Sequence, residues 1–230
     1  MNGILLIAEI LITFSLVVIL HKTYGKTGLT VWVAVATVLA NIMTAKTVNI
    51  CGIETTLGTV LFASTFLCTD ILTEMYSEKD AKQAVKLGVL SVCSFILASQ
   101  LALAYTPSAI DYADESMRNL FSLNLRISIS SVVMYYIANY FDIVLYGKLK
   151  ERMGESKMWL RNNVATILCN GLENFFFIGF AFAGIYSIAD IFIIAGSTTL
   201  VEILVAICDT PFLYIAKGKA NGKRAELKTK

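Results

Sequence analysis

Long apolar stretches separated by short polar connections recur from one end of the chain to the other. The hydrocarbon core of a bilayer is about 30 Å thick, and roughly 20 apolar helical residues are needed to cross it. Seven stretches approach that length: residues 3–20, 29–48, 57–75, 84–105, 125–147, 164–184 and 189–216. Pro107 and Pro211 are the only prolines, one just past the fourth stretch and one near the end of the seventh, so each stretch reads as a helix. The pattern predicts an all-α integral membrane fold, a bundle of about seven transmembrane helices. Six crossings are the alternative, with 57–75 re-entrant or the first stretch not spanning.

Composition agrees with that pattern. Hydrophobic residues make up 57% of the 230 and charged residues 16%, with a mean hydropathy of +0.69. Soluble domains carry about 25% charged residues, so a soluble enzyme, a disordered protein and a nucleic-acid binder all fit poorly. The first stretch lacks a basic start, carries Glu9, and exits through Leu20-His21-Lys22-Thr23 with no small-residue cleavage site, so it reads as a mature helix rather than a signal peptide. Sixteen of the 19 basic residues fall in alternate connections and in the tail. Basic loops stay cytoplasmic, which predicts an N-terminus outside and a C-terminus inside. Residues 1–216 read as one transmembrane domain and 217–230 as a basic cytoplasmic tail. The largest outer connection, 106–124, is too short for a domain, so function must lie within the membrane.

Several chemistries drop out. The cysteines, at 51, 68, 93, 169 and 208, show no C-x-x-C spacing and read as packing residues. The single histidine, His21, falls in a cytoplasmic connection, which leaves no His-based metal site and no Ser-His or Cys-His hydrolase. Gly25-Lys26-Thr27 resembles the end of a Walker A motif, but Leu20 stands where its first glycine belongs and no strand precedes it. No catalytic residue, metal or cofactor is expected, and no internal repeat points to an inverted-repeat architecture.

Polar residues inside the stretches carry the remaining information, because a charge at the bilayer centre costs at least about 2.5–3.5 kcal/mol. Thr30, Thr37, Asn41 and Thr44 lie on one stripe of the second, and Asp70 and Glu74 share a face of the third near its cytoplasmic end, beside Lys79. Asn170, Glu173 and Asn174 form a stripe in the sixth, and Glu202 and Asp209 stand two turns apart in the seventh. Amides and threonines at such positions also bond neighbouring helices. Glu173 and Glu202 lie too deep to reach the interface, which singles them out as functional.

Order and spacing of several motifs carry a resemblance. They are Ala40-Asn41-Ile42 with Lys46, Thr69-Asp70-Ile71-Leu72-Thr73-Glu74-Met75-Tyr76 followed by Ala81 and Lys86-Leu87-Gly88, and Asp142 with Lys150. Trp159-Leu160-Arg161-Asn162-Asn163 with Thr166, and Cys208-Asp209-Thr210-Pro211 with Tyr214, complete the set. Over residues 40–215 the chain resembles the queuosine precursor transporters, also described as vitamin uptake transporters. The resemblance implies a bacterial cytoplasmic-membrane carrier that imports 7-deazaguanine bases for queuosine synthesis or salvage. The chain departs from the family pattern at Asn170, Glu173 and Asn174, where Gln, Asp and Thr are usual, and at Glu202, where a lysine is usual.

A deazaguanine suits this inventory. Its N1–H and exocyclic amine form a donor pair that Glu173 can accept, its O6 wants an amide donor such as Asn170 or Asn41, and its ring wants an aromatic wall from Phe175 to Phe177 or Tyr214. With Asn174 and Glu202 these form the expected binding set. Glu202 favours amine-bearing forms such as the aminomethyl precursor or queuine over the neutral nitrile, unless it pairs with Lys46 or Arg126. Those two residues, with Asp70, Glu74, Asp142 and Asp209, are expected to gate or to brace the bundle. Two rivals are a substrate-binding subunit of an ATP-driven importer, with a separate partner module, and a membrane-embedded lipid-modifying enzyme. Partners beyond the nucleobase and lipid, including a homo-oligomer, stay open at this point, as does the energy source.

Overall fold

The computed structural model describes residues 1–50, 52–121, 125–154, 157–182, 184 and 187–228; for 47, 53–56, 125–129, 181–182 and 219–228 only the backbone is described. Helix α1 spans Asn2–Met43 and holds both of the first two apolar stretches, with a sharp reversal at Gly25 (φ 59, ψ −138). That backbone region is open essentially to glycine alone. The halves close tightly, since a Cβ on Gly28 would stand 2.5 Å from the Leu20 carbonyl oxygen. The expected connection thus contracts to one glycine. His21 is consequently helical and buried rather than in a loop, its Nε2 3.2 Å from Tyr76 Oη.

A second departure follows α1. Strands β1 (Thr47–Ile50) and β2 (Ile53–Thr56) form an antiparallel hairpin, with Thr47 opposite Thr56 and Ile50 opposite Ile53. Helix was expected as far as Val48. The β-branched run Thr47, Val48, Ile50, Ile53, Thr55 and Thr56 favours extended backbone, and Gly52 supplies the positive φ of 90 that a tight hairpin turn needs. Apart from this hairpin the described fold is helical.

Helix α2 (Gly58–Met75) is almost wholly buried and forms the axis of the bundle, packed by α1, α3 (Glu78–Ala104), α5 (Leu125–Met153) and α7 (Ile188–Lys228). Ser77 starts α3, its hydroxyl accepting the Asp80 N–H at 3.1 Å as an N-cap. Short α4 (Asp114–Phe121) occupies the connection between α3 and α5, and α6 (Met158–Phe182) packs between α5 and α7. Pro211 sits inside α7, where it lacks the N–H that would bond the carbonyl one turn back.

The core along α2 is apolar, with Phe14, Val17, Leu67, Ile71, Leu72 and Leu213 closed from solvent. On the outside the order is inverted. Leu11, Leu90, Leu101, Phe180, Ile193 and Leu204 are all exposed, more apolar surface than a water-soluble monomer presents and the surface a lipid-facing bundle needs. By length and composition α1, α3 and α7 can each cross a membrane. Buried polar side chains interrupt α2, α5 and α6.

Candidate functional site

Glu74, in the last turn of α2, is the most heavily partnered carboxylate among the described residues. Arg161 Nη2 lies 2.5 Å from its Oε2, Lys217 Nζ 2.6 Å from its Oε1, and Lys150 Nζ 3.3 Å from its Oε2. Tyr146 donates to Oε2 at 3.3 Å, and its ring carries the Arg161 guanidinium 5.4 Å from the centroid. Lys150 also donates to the Glu74 carbonyl at 2.8 Å, and Arg161 to the carbonyl of Gly154. One side chain thus ties α2 to α5, α6 and α7. Lys79, the neighbour expected from sequence, is exposed, because the Ser77 cap turns α3 away from Glu74.

Asp70, one turn earlier on the same face, has different surroundings. It faces Asp142 of α5, with Asp209 of α7 beside them, and all three are fully buried. Asn162 Nδ2 donates to Asp209 Oδ1 at 2.8 Å, Asn163 Nδ2 donates to Thr210 Oγ1 at 2.8 Å, and the Cys169 thiol lies against Asp142. Among the described residues no N–H or O–H donor reaches either oxygen of Asp70 or of Asp142.

A third group sits where α6 meets α7. Asn174 Nδ2 donates to Glu202 Oε2 at 2.7 Å and contacts Thr199 Oγ1 at 3.2 Å. Glu173 lies near both Glu202 and Tyr135, and its Oε2 and Asn170 Oδ1 are buried without a hydrogen-bond partner among the described residues. Tyr135 is buried, packed edge-on against Phe62 at 5.4 Å between centroids, with Oη 3.1 Å from Thr37 Oγ1. Gly88 allows this approach, since a Cβ there would stand 3.1 Å from both the Thr37 and the Tyr135 oxygen.

The expected binding set is therefore brought together in part. Asn170, Glu173, Asn174 and Glu202 converge. Asn41 spends its amide on the Thr37 carbonyl of its own helix at 2.8 Å, one turn from the Tyr135 contact. Tyr214 is 43% exposed, its hydroxyl accepting the Trp159 N–H at 3.3 Å on the outer surface, and Phe175 and Phe176 also face outward. Lys46 is exposed beside the hairpin and lines a cavity of about 150 Å³ with Glu9, Val48 and Val201; among the described residues it forms no ion pair with Glu202. The Arg126 side chain lies outside the described residues.

Tyr135 escaped the sequence reading because it shares α5 with Tyr136 and Tyr140, which face elsewhere. The signal was present as Tyr135, Asn139, Asp142 and Tyr146, spaced four, three and four apart and all buried.

A helical bundle with carboxylates, amides and a tyrosine in its interior, and leucine and phenylalanine on its outside, is a polytopic membrane protein with an internal polar site. Residues 56–216, which hold the carboxylates of all three groups, match the family described as putative vitamin uptake transporter. Over 209 residues the chain is 32% identical to a Bacillus subtilis (strain 168) protein described as "Probable queuosine precursor transporter", covering 90% of this chain and 91% of that one. The chain belongs to the vitamin uptake transporter family. No solved structure matches it.

Proposed function

We propose that the protein imports 7-deazaguanine queuosine precursors across the bacterial cytoplasmic membrane, acting as a carrier and not as an enzyme. The description of the Bacillus relative supports the substrate class. The halves of α1, with α2, α3, α5, α6 and α7, provide seven crossings, and the bias of basic residues supports an outside N-terminus.

The observation that carries the reading is the buried, unpartnered Oε2 of Glu173 close to a second carboxylate, Glu202. A buried acceptor without a donor is costly until a ligand supplies one. The N1–H and exocyclic amine of a deazaguanine form a donor pair that matches one carboxylate. Asn170 offers its amide to O6, and Tyr135 with Phe62 supplies the aromatic wall. Glu202, held by Asn174, takes the cationic arm of an amine-bearing base, and a carboxylate at that position favours that form over the neutral nitrile. The Glu74 cluster closes the cytoplasmic end by holding four helices together.

The decisive experiment feeds labelled bases to cells that cannot synthesise queuosine precursors, and repeats uptake in proteoliposomes holding this protein alone. Restored tRNA queuosine with uptake by the single protein is the expected result. Failure of every base to restore tRNA queuosine overturns the reading, and uptake that requires an added ATP-hydrolysing module replaces the carrier with a substrate-binding subunit.

A further inference from the structure

The Asp70, Asp142 and Asp209 group has no role in base recognition as described above. Glu202 and Asp209 are seven residues apart on α7, about 10 Å along a helix, so the aspartates lie roughly two turns to the cytoplasmic side of the ligand carboxylates. We propose that this group is a proton-binding site that couples inward transport to the proton gradient.

Charge counting makes the first argument. Four fully or nearly fully buried carboxylates, Asp70, Glu74, Asp142 and Asp209, share this end of the bundle with three cations, Lys150, Arg161 and Lys217, all of which reach Glu74. One negative charge is left over however the cations are partitioned. A buried charge without a counter-charge is the most expensive state available, and carboxyls that face each other relieve it by sharing a proton.

Orphaned polar atoms make the second. Among the described residues Thr166 Oγ1, an O–H donor as well as an acceptor, is buried and bonded to nothing, not even the carbonyl one turn back on α6. It lies one turn from Asn162, which holds Asp209, and three residues before Cys169, which touches Asp142, so it faces the group. Asn162 Oδ1 and Asn139 Oδ1 are buried acceptors in the same state. The unfilled acceptors on Asp70, Asp142, Asn139 and Asn162 outnumber the single Thr166 O–H that could serve them, and a proton on Asp70 or Asp142 supplies a further donor. The described residues form no acidic cluster with metal-binding geometry, which favours a proton over a metal cation.

The titratable surroundings come from each neighbouring element. Helix α5 presents Asp142 and Tyr146, α6 presents Arg161 and Cys169, and α7 presents Asp209 and Lys217, while α2 itself adds Cys68 and Glu74. Helices α1 and α3 meet α2 through the apolar core at Phe14, Val17 and Val85, and their titratable groups against α2, His21 and Lys26 of α1 and Asp80 of α3, reach Tyr76 at its end.

The first arm of the test needs no substrate. In purified protein, infrared spectra at neutral pH should contain the carbonyl stretch of a protonated carboxyl group, and D70N or D142N should remove a component of it that E173Q leaves in place; a band unchanged in both aspartate variants overturns the proposal. The second arm rests on the deazaguanine reading and uses tritiated 7-aminomethyl-7-deazaguanine in proteoliposomes. An imposed difference of about one pH unit, acid outside, should support up to about tenfold accumulation at one proton per base. D70N should lower accumulation relative to counterflow exchange by about that factor. Accumulation that follows a sodium gradient and ignores pH overturns the proposal. A wild-type protein that neither binds nor exchanges the base fails the substrate reading instead, and the infrared arm still decides the proton site.

Discussion

Glu74 and Glu173 are both buried carboxylates on helices of one bundle, yet one is saturated and the other is not. Glu74 has a guanidinium, two ammonium groups and a phenol from three helices. Glu173 has an orphaned oxygen and a second carboxylate for a neighbour. A group whose partners all come from the protein holds the protein together, whereas a group that lacks partners in the same dry interior keeps an acceptor open to a ligand's donors. The contrast separates architecture from recognition more cleanly than charge or depth does.

The comparison can be broken most forcefully at Arg161. Removing one member of a buried ion pair costs about 3–5 kcal/mol when the other charge is stranded; Lys150 and Lys217 stay on Glu74, so the loss of Arg161, its fully buried partner, falls toward the lower end of that range. R161M should therefore clearly lower the yield of folded protein, read as the monodisperse fraction surviving a heating series; a fully stable variant would show that Arg161 and Glu74 do not brace the bundle.

Glu173 should behave in the opposite way. E173Q removes a charged acceptor from a ligand's donors, a loss of about 1.5–3 kcal/mol, or about tenfold to a hundredfold in Kd. Its thermal stability should stay near that of the wild type. Unchanged base binding in this variant would remove Glu173 from the site.

Glu202 sharpens the comparison, because it is held by Asn174 on one oxygen and so is half saturated. Amine-bearing bases should outcompete the nitrile by about tenfold, and E202Q should erase most of that preference while leaving nitrile affinity nearly level. An unchanged order of preference in competition assays would mean that the cationic arm does not reach Glu202.

The smallest effect is expected at Tyr214. Its hydroxyl caps the Trp159 N–H on the outer face, so Y214F should alter base affinity by less than about twofold, in line with a surface change of about 0.5 kcal/mol. A large loss of affinity would bring Tyr214 back to the ligand.

Much of this was legible from residues alone. Asn170, Glu173 and Asn174 were readable as a stripe because helical periodicity puts neighbouring turns on one face, and Glu202 stood out because a carboxylate so deep in an apolar run is costly. The pairing of Asp70 with Glu74 on one face was equally readable. That they belong to different groups was not, because the partners that divide them arrive from α5, α6 and α7, between 72 and 143 positions away along the chain. Tyr214 and Tyr135 exchanged places for a related reason. Periodicity fixes which residues share a face, but helix rotation within the bundle decides whether that face meets lipid or the interior.

Local sequence by itself determined the helices, their apolar outer surface and the carboxylates set among them, because hydropathy and backbone preference act over a few residues at a time. It also held the signals for the reversal at Gly25 and for the β-branched hairpin, although a twenty-residue apolar window overrides both. Only the tertiary structure decided which carboxylate is saturated. Counter-charges such as Arg161 and Lys217 reach Glu74 through packing of distant helices, and the energy of a buried charge depends on what stands within a few ångströms of it rather than on its place in the chain.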